Sequence, residues 1–65
     1  MDPDATWQML IEAYCNDWER AAEIAGDLLY WLDRGGFPPT ITGNKEFDKL
    51  IARTTCDAVA AWDVM

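Results

Sequence analysis

Residues 31–44 read WLDRGGFPPTITGN, with two glycines followed by two prolines. Glycine often ends a helix in the left-handed conformation, and proline cannot continue one because it lacks a backbone N–H. We assign Gly36 to the left-handed position, which brings Phe37 onto Leu32 as in a Schellman motif. Asn44 then caps the next helix. The stretch therefore predicts a helix end, a rigid spacer and a helix start, in preference to a ligand-binding loop.

The chain before this stretch carries the start signals of two further helices. Asp2 can accept hydrogen bonds from unpaired amides, and Pro3 suits the first helical position. Asn16 or Asp17 caps the second helix, and Asn16 and Glu19 have the spacing of a capping box. So short a connection predicts two antiparallel neighbours.

Apolar residues recur at helical spacing over about residues 3–15, 17–34 and 45–62. The residues expected to face inward are Trp7, Leu10, Ile11 and Tyr14 in the first segment; Trp18, Ala21, Ala22, Ala25, Leu28, Leu29 and Leu32 in the second; and Phe47, Leu50, Ile51, Thr54, Ala58, Ala61, Trp62 and Met65 in the third. With 65 residues, we expect one all-α domain, a helical hairpin with the third helix packed across it.

Two resemblances follow from these residues. Trp7, Leu10 and Tyr14 have the spacing of the first helix of a tetratricopeptide-type repeat, so the first half of the chain resembles one such helical hairpin. Residues 29–39 (LYWLDRGGFPP) resemble a stretch in small uncharacterised bacterial proteins. That resemblance implies no particular activity, and it leads us to expect a complete small protein.

The charge is acidic and unevenly distributed. The formal net charge is −7 and the isoelectric point is about 4.1. Residues 1–43 hold eight carboxylate side chains against two arginines, whereas residues 44–65 hold four against three basic side chains. With no basic patch, direct binding to nucleic acid is not expected. The acidic first part favours a partner with a basic surface.

Glu19, Glu23 and Asp27 are four residues apart and form an acidic ridge on the second helix. A solvated face is the ordinary interpretation of such a ridge, and a docking surface for Lys and Arg of a partner is the functional one. Three carboxylates along one open helix do not surround an ion, so no metal site is predicted.

Tyr30 and Trp31 flank the core side of the second helix at its C-terminal end. Its apolar surface therefore extends nearly all the way round there, which is typical of a helix covered on all sides. Either the third helix and Phe37 cover these rings, or a partner or second subunit does. With Trp62, they are the candidate aromatic anchors of an interface.

The chain contains no histidine and no serine, which removes the commonest bases and metal ligands. Cys15 and Cys56 have no evident group that would lower a thiol pKa, so we expect structural cysteines, free or bridged. We therefore expect neither an enzyme nor a cofactor. No signal peptide or membrane-spanning run is evident, so a cytoplasmic location and no membrane partner are expected.

These observations favour a non-enzymatic protein-protein interaction module. Its partner would be a protein with a basic or apolar surface, and the candidate binding residues are Glu19, Glu23, Asp27, Tyr30, Trp31 and Trp62. One alternative is an acidic inhibitor that imitates nucleic acid and occupies the basic groove of a nucleic-acid-binding protein. The other is a structural homodimer.

Overall fold

The helices follow the predicted segments closely. The structure is a computed structural model that describes the backbone of residues 1–63 and the side chains of residues 1–61. In that part of the chain the elements are α1 (Pro3–Asn16), α2 (Trp18–Asp33) and α3 (Lys45–Asp63). Every predicted bound lies within one residue of the observed one. Helix α2 packs against both α1 and α3, which confirms the all-α three-helix fold.

Two of the helix starts are those that the sequence predicts. The Asp2 carboxylate accepts a hydrogen bond from the Ala5 amide at 3.2 Å, and Pro3 is the first residue of α1. Asn44 caps α3 in the same way, accepting from the Phe47 amide at 3.0 Å. In each case the cap satisfies an amide that has no carbonyl partner within its helix.

The turn between α1 and α2 depends on Asp17. Its extended backbone interrupts the helix, and its carboxylate accepts a hydrogen bond from the Arg20 amide at 3.2 Å. Asn16 is the last residue of α1, and its side-chain amide donates to the Glu12 carbonyl at 2.9 Å. Of the two predicted caps, Asp17 is therefore confirmed, and the Asn16–Glu19 capping box is wrong.

The end of α2 is a Schellman motif placed one residue earlier than predicted. Gly35, with φ of 84°, takes the left-handed position, and its amide donates to the Leu32 carbonyl at 3.1 Å. The Gly36 amide donates to the Trp31 carbonyl at 3.0 Å, which completes the motif. The predicted contact between Phe37 and Leu32 is not the one that closes this turn, and Phe37 is 69% exposed.

The core is small and built largely from short side chains. Its buried residues are Leu10, Ala13, Ala21, Ala22, Ile24, Ala25, Leu28, Leu32, Ala52, Cys56 and Val59. Trp7, Trp18, Leu29 and Trp31 pack partly against it. All the inward residues predicted for α2 are buried or partly buried. In α1 the prediction is wrong for Ile11 and Tyr14, which are exposed, whereas Ala13 is buried.

The face of α3 that packs inward differs from the predicted face by a rotation about the helix axis of about one residue position. Its inward residues are Asp48, Ala52, Cys56 and Val59, with Ile51 half-buried. The predicted inward residues Phe47, Leu50, Thr54, Ala58 and Ala61 are all exposed. Small side chains at 52 and 56 allow α3 to approach the alanines of α2 closely, which the larger residues would prevent. The predicted inward positions of Trp62 and Met65 fall outside the described side chains.

Asp48 is one of the inward residues of α3, and the residue is only 2% exposed. One oxygen accepts hydrogen bonds from the Thr42 amide at 2.7 Å and the Thr42 hydroxyl at 2.6 Å, and the other accepts from the Gly43 amide at 3.2 Å. Burial opposes ionisation of Asp48, but these hydrogen bonds outweigh it and lower the pKa of the carboxyl below its usual 3.8. The inward carboxylate thus ties the preceding loop to α3.

Candidate interaction surface on the second helix

Four of the six predicted binding residues lie on the solvent side of α2. Glu19, Glu23, Asp27 and Tyr30 are all exposed, and their spacing places them along one face of the helix. The opposite face of α2 is buried against α1 and α3, because alanines and leucines occupy it at helical spacing. The packing of α2 therefore holds the acidic ridge and Tyr30 outward as one continuous surface.

The acidic ridge has no neutralising partner in the described part of the chain. The carboxylates of Glu19, Glu23 and Asp27 form no ion pair with any residue described there. Asp33, which follows the ridge in sequence, is instead paired with Arg53 of α3 at 2.6 Å. The ridge consequently presents three adjacent negative charges to solvent.

Tyr30 extends the ridge with an accessible aromatic ring. It is 64% exposed, and the Arg34 guanidinium lies 5.2 Å from the ring centroid. A cation over an aromatic face is attracted by the ring quadrupole, so Arg34 favours the observed position of the Tyr30 ring. The surface thus combines charge with an amphipathic ring that is partly preorganised.

Trp31 is held by contacts within the chain itself. Its indole N–H donates to the Phe37 carbonyl at 2.8 Å, and the ring is half-buried against the core. A Cβ added at Gly36 would lie 2.2 Å from the indole ring, so the ring occupies the space that glycine leaves. Trp31 therefore adjoins the α2 surface but packs against the turn that follows the helix. The side chain of Trp62, the sixth predicted residue, lies outside the described part.

Two exposed apolar residues that were predicted to face inward lie on α3, away from the α2 surface. Phe47 and Leu50 of α3 are 52% and 59% exposed. The signal that could have found them is the competing pattern on α3, in which Ala52, Cys56 and Val59 also recur at helical spacing.

A cleft of about 360 Å³ lies between the start of α1 and the loop before α3. Its polar groups are largely used within the protein: Asp4 accepts from the Thr40 amide, and Asp48 accepts from the residues around Thr42. Lys45 lies 5.6 Å from the ring centroid of Phe37 at the same place. The cleft therefore offers a lysine and a ring, but its two carboxylates already bind backbone amides.

The two cysteines are free and differ in environment. Cys15 is exposed, whereas Cys56 is buried in the core. Burial, together with the negative charge of Asp57, raises the pKa of the Cys56 thiol from 9.0 to about 11. The Cys56 thiol is consequently protonated at neutral pH and a weak nucleophile.

Comparisons with protein families, with curated proteins and with solved structures found no match to this chain. Over the described residues, no helix has both the length and the apolar character needed to cross a membrane.

Proposed function

We propose that this protein is a non-enzymatic binding module, and that the solvent face of α2 docks onto a basic surface of another protein. The observation that carries the proposal is a combination of groups on one helix face. It consists of three carboxylates that form no ion pair with any described residue, and a tyrosine that is 64% exposed. The carboxylates are Glu19, Glu23 and Asp27, and the tyrosine is Tyr30.

The two kinds of group would act at different stages of binding. Long-range attraction between the acidic ridge and Lys or Arg side chains orients the encounter and raises the association rate. Tyr30 then supplies a desolvated anchor, since tyrosine is among the residues that contribute most to interface affinity. Trp31 supports the edge of the surface through its contact with Gly36. Trp62 stays a predicted contact.

The partner chemistry follows from this surface. It should present two or more basic side chains spaced to match successive turns of α2, about 6 Å apart, beside a shallow apolar depression for the phenol ring. Binding should weaken as salt is added, because exposed charges are screened beyond the Debye length.

The test compares two double variants, each of which replaces two exposed glutamates by glutamine, on different faces of the protein. Glu19→Gln with Glu23→Gln removes two ridge charges, whereas Glu12→Gln with Glu46→Gln removes two charges from α1 and α3. Immobilised protein is used to capture partners from native lysate. We expect the ridge variant to lose at least one captured protein that the control variant retains, and Tyr30→Ala to weaken its binding by about tenfold. Equal losses in both double variants, or no loss in the ridge variant, would contradict the proposal.

The alternative, an acidic inhibitor that imitates nucleic acid, is distinguished by competition. If the captured protein binds nucleic acid, duplex DNA should displace it from the acidic ridge as salt does. Capture that DNA leaves unchanged favours an ordinary protein-protein interface.

A further inference from the structure

Helix α3 carries an apolar stripe on the side away from its core contacts. The residues of the stripe are Phe47, Leu50, Thr54, Ala58 and Ala61. They recur at intervals of three and four residues, so they share one helix face. All five are exposed, including Phe47 at 52% and Leu50 at 59%. The stripe is distinct from the acidic face of α2.

The sizes of the side chains change along the stripe. Its first half holds Phe47 and Leu50, and its second half holds Ala58 and Ala61, with Thr54 midway. A second copy of α3 laid antiparallel about a two-fold axis at Thr54 would place Leu50 against Ala58 and Phe47 against Ala61. Large side chains would then fill the spaces over small ones at both ends, as a two-fold interface requires.

The charges of α3 also fit a second copy. Between residues 45 and 57 the helix has three basic and three acidic side chains, in contrast to the acidic excess of the first two helices. The antiparallel arrangement brings Arg53 of one copy close to Asp57 of the other, and the two-fold axis repeats this pair on the other side. Arg53 already binds Asp33 at 2.6 Å, and a guanidinium has donors enough for both carboxylates.

The acidic ridge takes no direct part in this association. It lies on the solvent side of α2, opposite the face that packs against α1 and α3. A neutral stripe with self-complementary sizes offers little to a strongly basic or acidic partner, whereas a second copy matches it in both shape and charge.

We propose that the apolar stripe of α3 is a self-association surface that joins two copies of this chain with their α3 helices antiparallel. The stripe is about 21 Å long from Phe47 to Ala61. We expect one helix face of this length to bury less than the ~800 Å² per partner of a standard interface, so the proposed dimer is weak and exchanges with monomer.

A size swap tests the pairing. Leu50→Ala should weaken dimerisation by about tenfold in sedimentation equilibrium, and Ala58→Leu should weaken it by placing leucine against leucine. The double variant Leu50→Ala with Ala58→Leu exchanges the sizes and should restore the dimer. Ile11→Ala, which shortens an exposed apolar residue of α1, should leave dimerisation unchanged. A wild-type chain that stays monomeric up to millimolar concentration, or a double variant no better than its parents, overturns the proposal.

Cross-linking tests the two-fold axis independently. In a Cys15→Ala background, Thr54→Cys places a thiol opposite its own copy, so mild oxidation should give a covalent dimer. Lys49→Cys on the charged side of the same helix is the matched control and should cross-link far less. Equal cross-linking at both positions contradicts the arrangement. The ridge variants Glu19→Gln and Glu23→Gln should not change the dimer, so failure of this proposal leaves that of the α2 surface unaffected.

Discussion

At the scale of single residues, two adjacent glycines have different roles at the end of α2. Gly35 supplies the positive φ of 84° that ends the helix, which residues with a Cβ rarely adopt. Gly36 supplies space, because the indole ring of Trp31 lies where its side chain would be. The two glycines together allow Trp31 to donate its N–H to the Phe37 carbonyl.

Gly36→Ala should therefore destabilise the fold. The new Cβ would lie 2.2 Å from the Trp31 ring, and relieving such an overlap costs about 1–3 kcal/mol. The free energy of unfolding is measured by urea denaturation, with tryptophan fluorescence as the signal. Gly26→Ala is the matched control, because nothing lies within 4 Å of its added Cβ and the position is inside α2. It should stabilise the protein by about 0.5–1 kcal/mol. If both variants changed the free energy of unfolding in the same direction, the Trp31 ring would have to move aside readily.

At the scale of helices and loops, Asp48 joins the loop before α3 to the helix itself. The Thr42 hydroxyl donates to Asp48 and accepts from the Asn44 amide at 3.2 Å, while Asn44 caps α3. The loop, the cap and the first turn of α3 therefore form one hydrogen-bonded unit. Disturbing Asp48 affects the start and the rotation of the helix together.

Asp48→Asn should lower stability at neutral pH and remove part of the acid sensitivity. An amide offers one acceptor oxygen, so its NH₂ group would face a backbone N–H donor. Because the pKa of Asp48 is lowered in the folded state, its contribution is present above pH 3.8 and is lost as the pH falls further. The difference in unfolding free energy between wild type and variant should thus narrow below about pH 4. Glu12→Gln, which removes a carboxylate from an exposed position of α1, is the control. A constant difference down to pH 2 would contradict this role of Asp48.

The helix bounds could be predicted from sequence because the signals that set them are local. Asp2, Asn44 and the glycine and proline pairs act within four residues of their own position. The rotation of α3 could not be predicted in this way, because apolar residues lie on two of its faces and the larger ones are on the exposed face. Burial of Asp48 depends on donors from the loop, which no helical period reveals. The choice between Gly35 and Gly36 likewise depends on where the Trp31 ring lies.

The candidate surface could be predicted only in part. The acidic ridge follows from spacing alone, and Tyr30 falls on the same face. The position of the Trp31 ring could not be predicted from spacing. The ring packs on a glycine five residues later, which is a contact between a side chain and a turn. The residues of the apolar stripe of α3 follow from their spacing in the sequence, but their exposure became known only with the rotation of the helix.

At the scale of the whole molecule, the acidic ridge and the apolar stripe lie on different helices. The acidic ridge is on the solvent side of α2, and the apolar stripe is on α3, whose charges are nearly balanced. The core between the helices consists mostly of alanine, leucine and one thiol. So small a core tolerates little change, because a chain of 65 residues buries only about 60% of its unfolded surface. Ionisation of a single buried group should then be visible in the stability of the entire fold.

The Cys56 thiol provides that test. Its pKa is raised from 9.0 to about 11 by burial and by Asp57, so the folded state disfavours the thiolate. Its contribution to stability is complete below pH 9.0, and it is lost as the pH rises towards 11. Wild type should lose stability in this interval more steeply than Cys56→Ala. That variant is less stable at neutral pH because it leaves a small cavity.

Modification by a thiol reagent provides the second measurement. At pH 8 the reagent should modify the exposed Cys15 quickly, and Cys56 only as fast as the protein opens. In denaturant both thiols should react at once. Equal rates in the native protein would mean that α3 separates readily from α2, and the burial of Cys56 could not then account for its pKa.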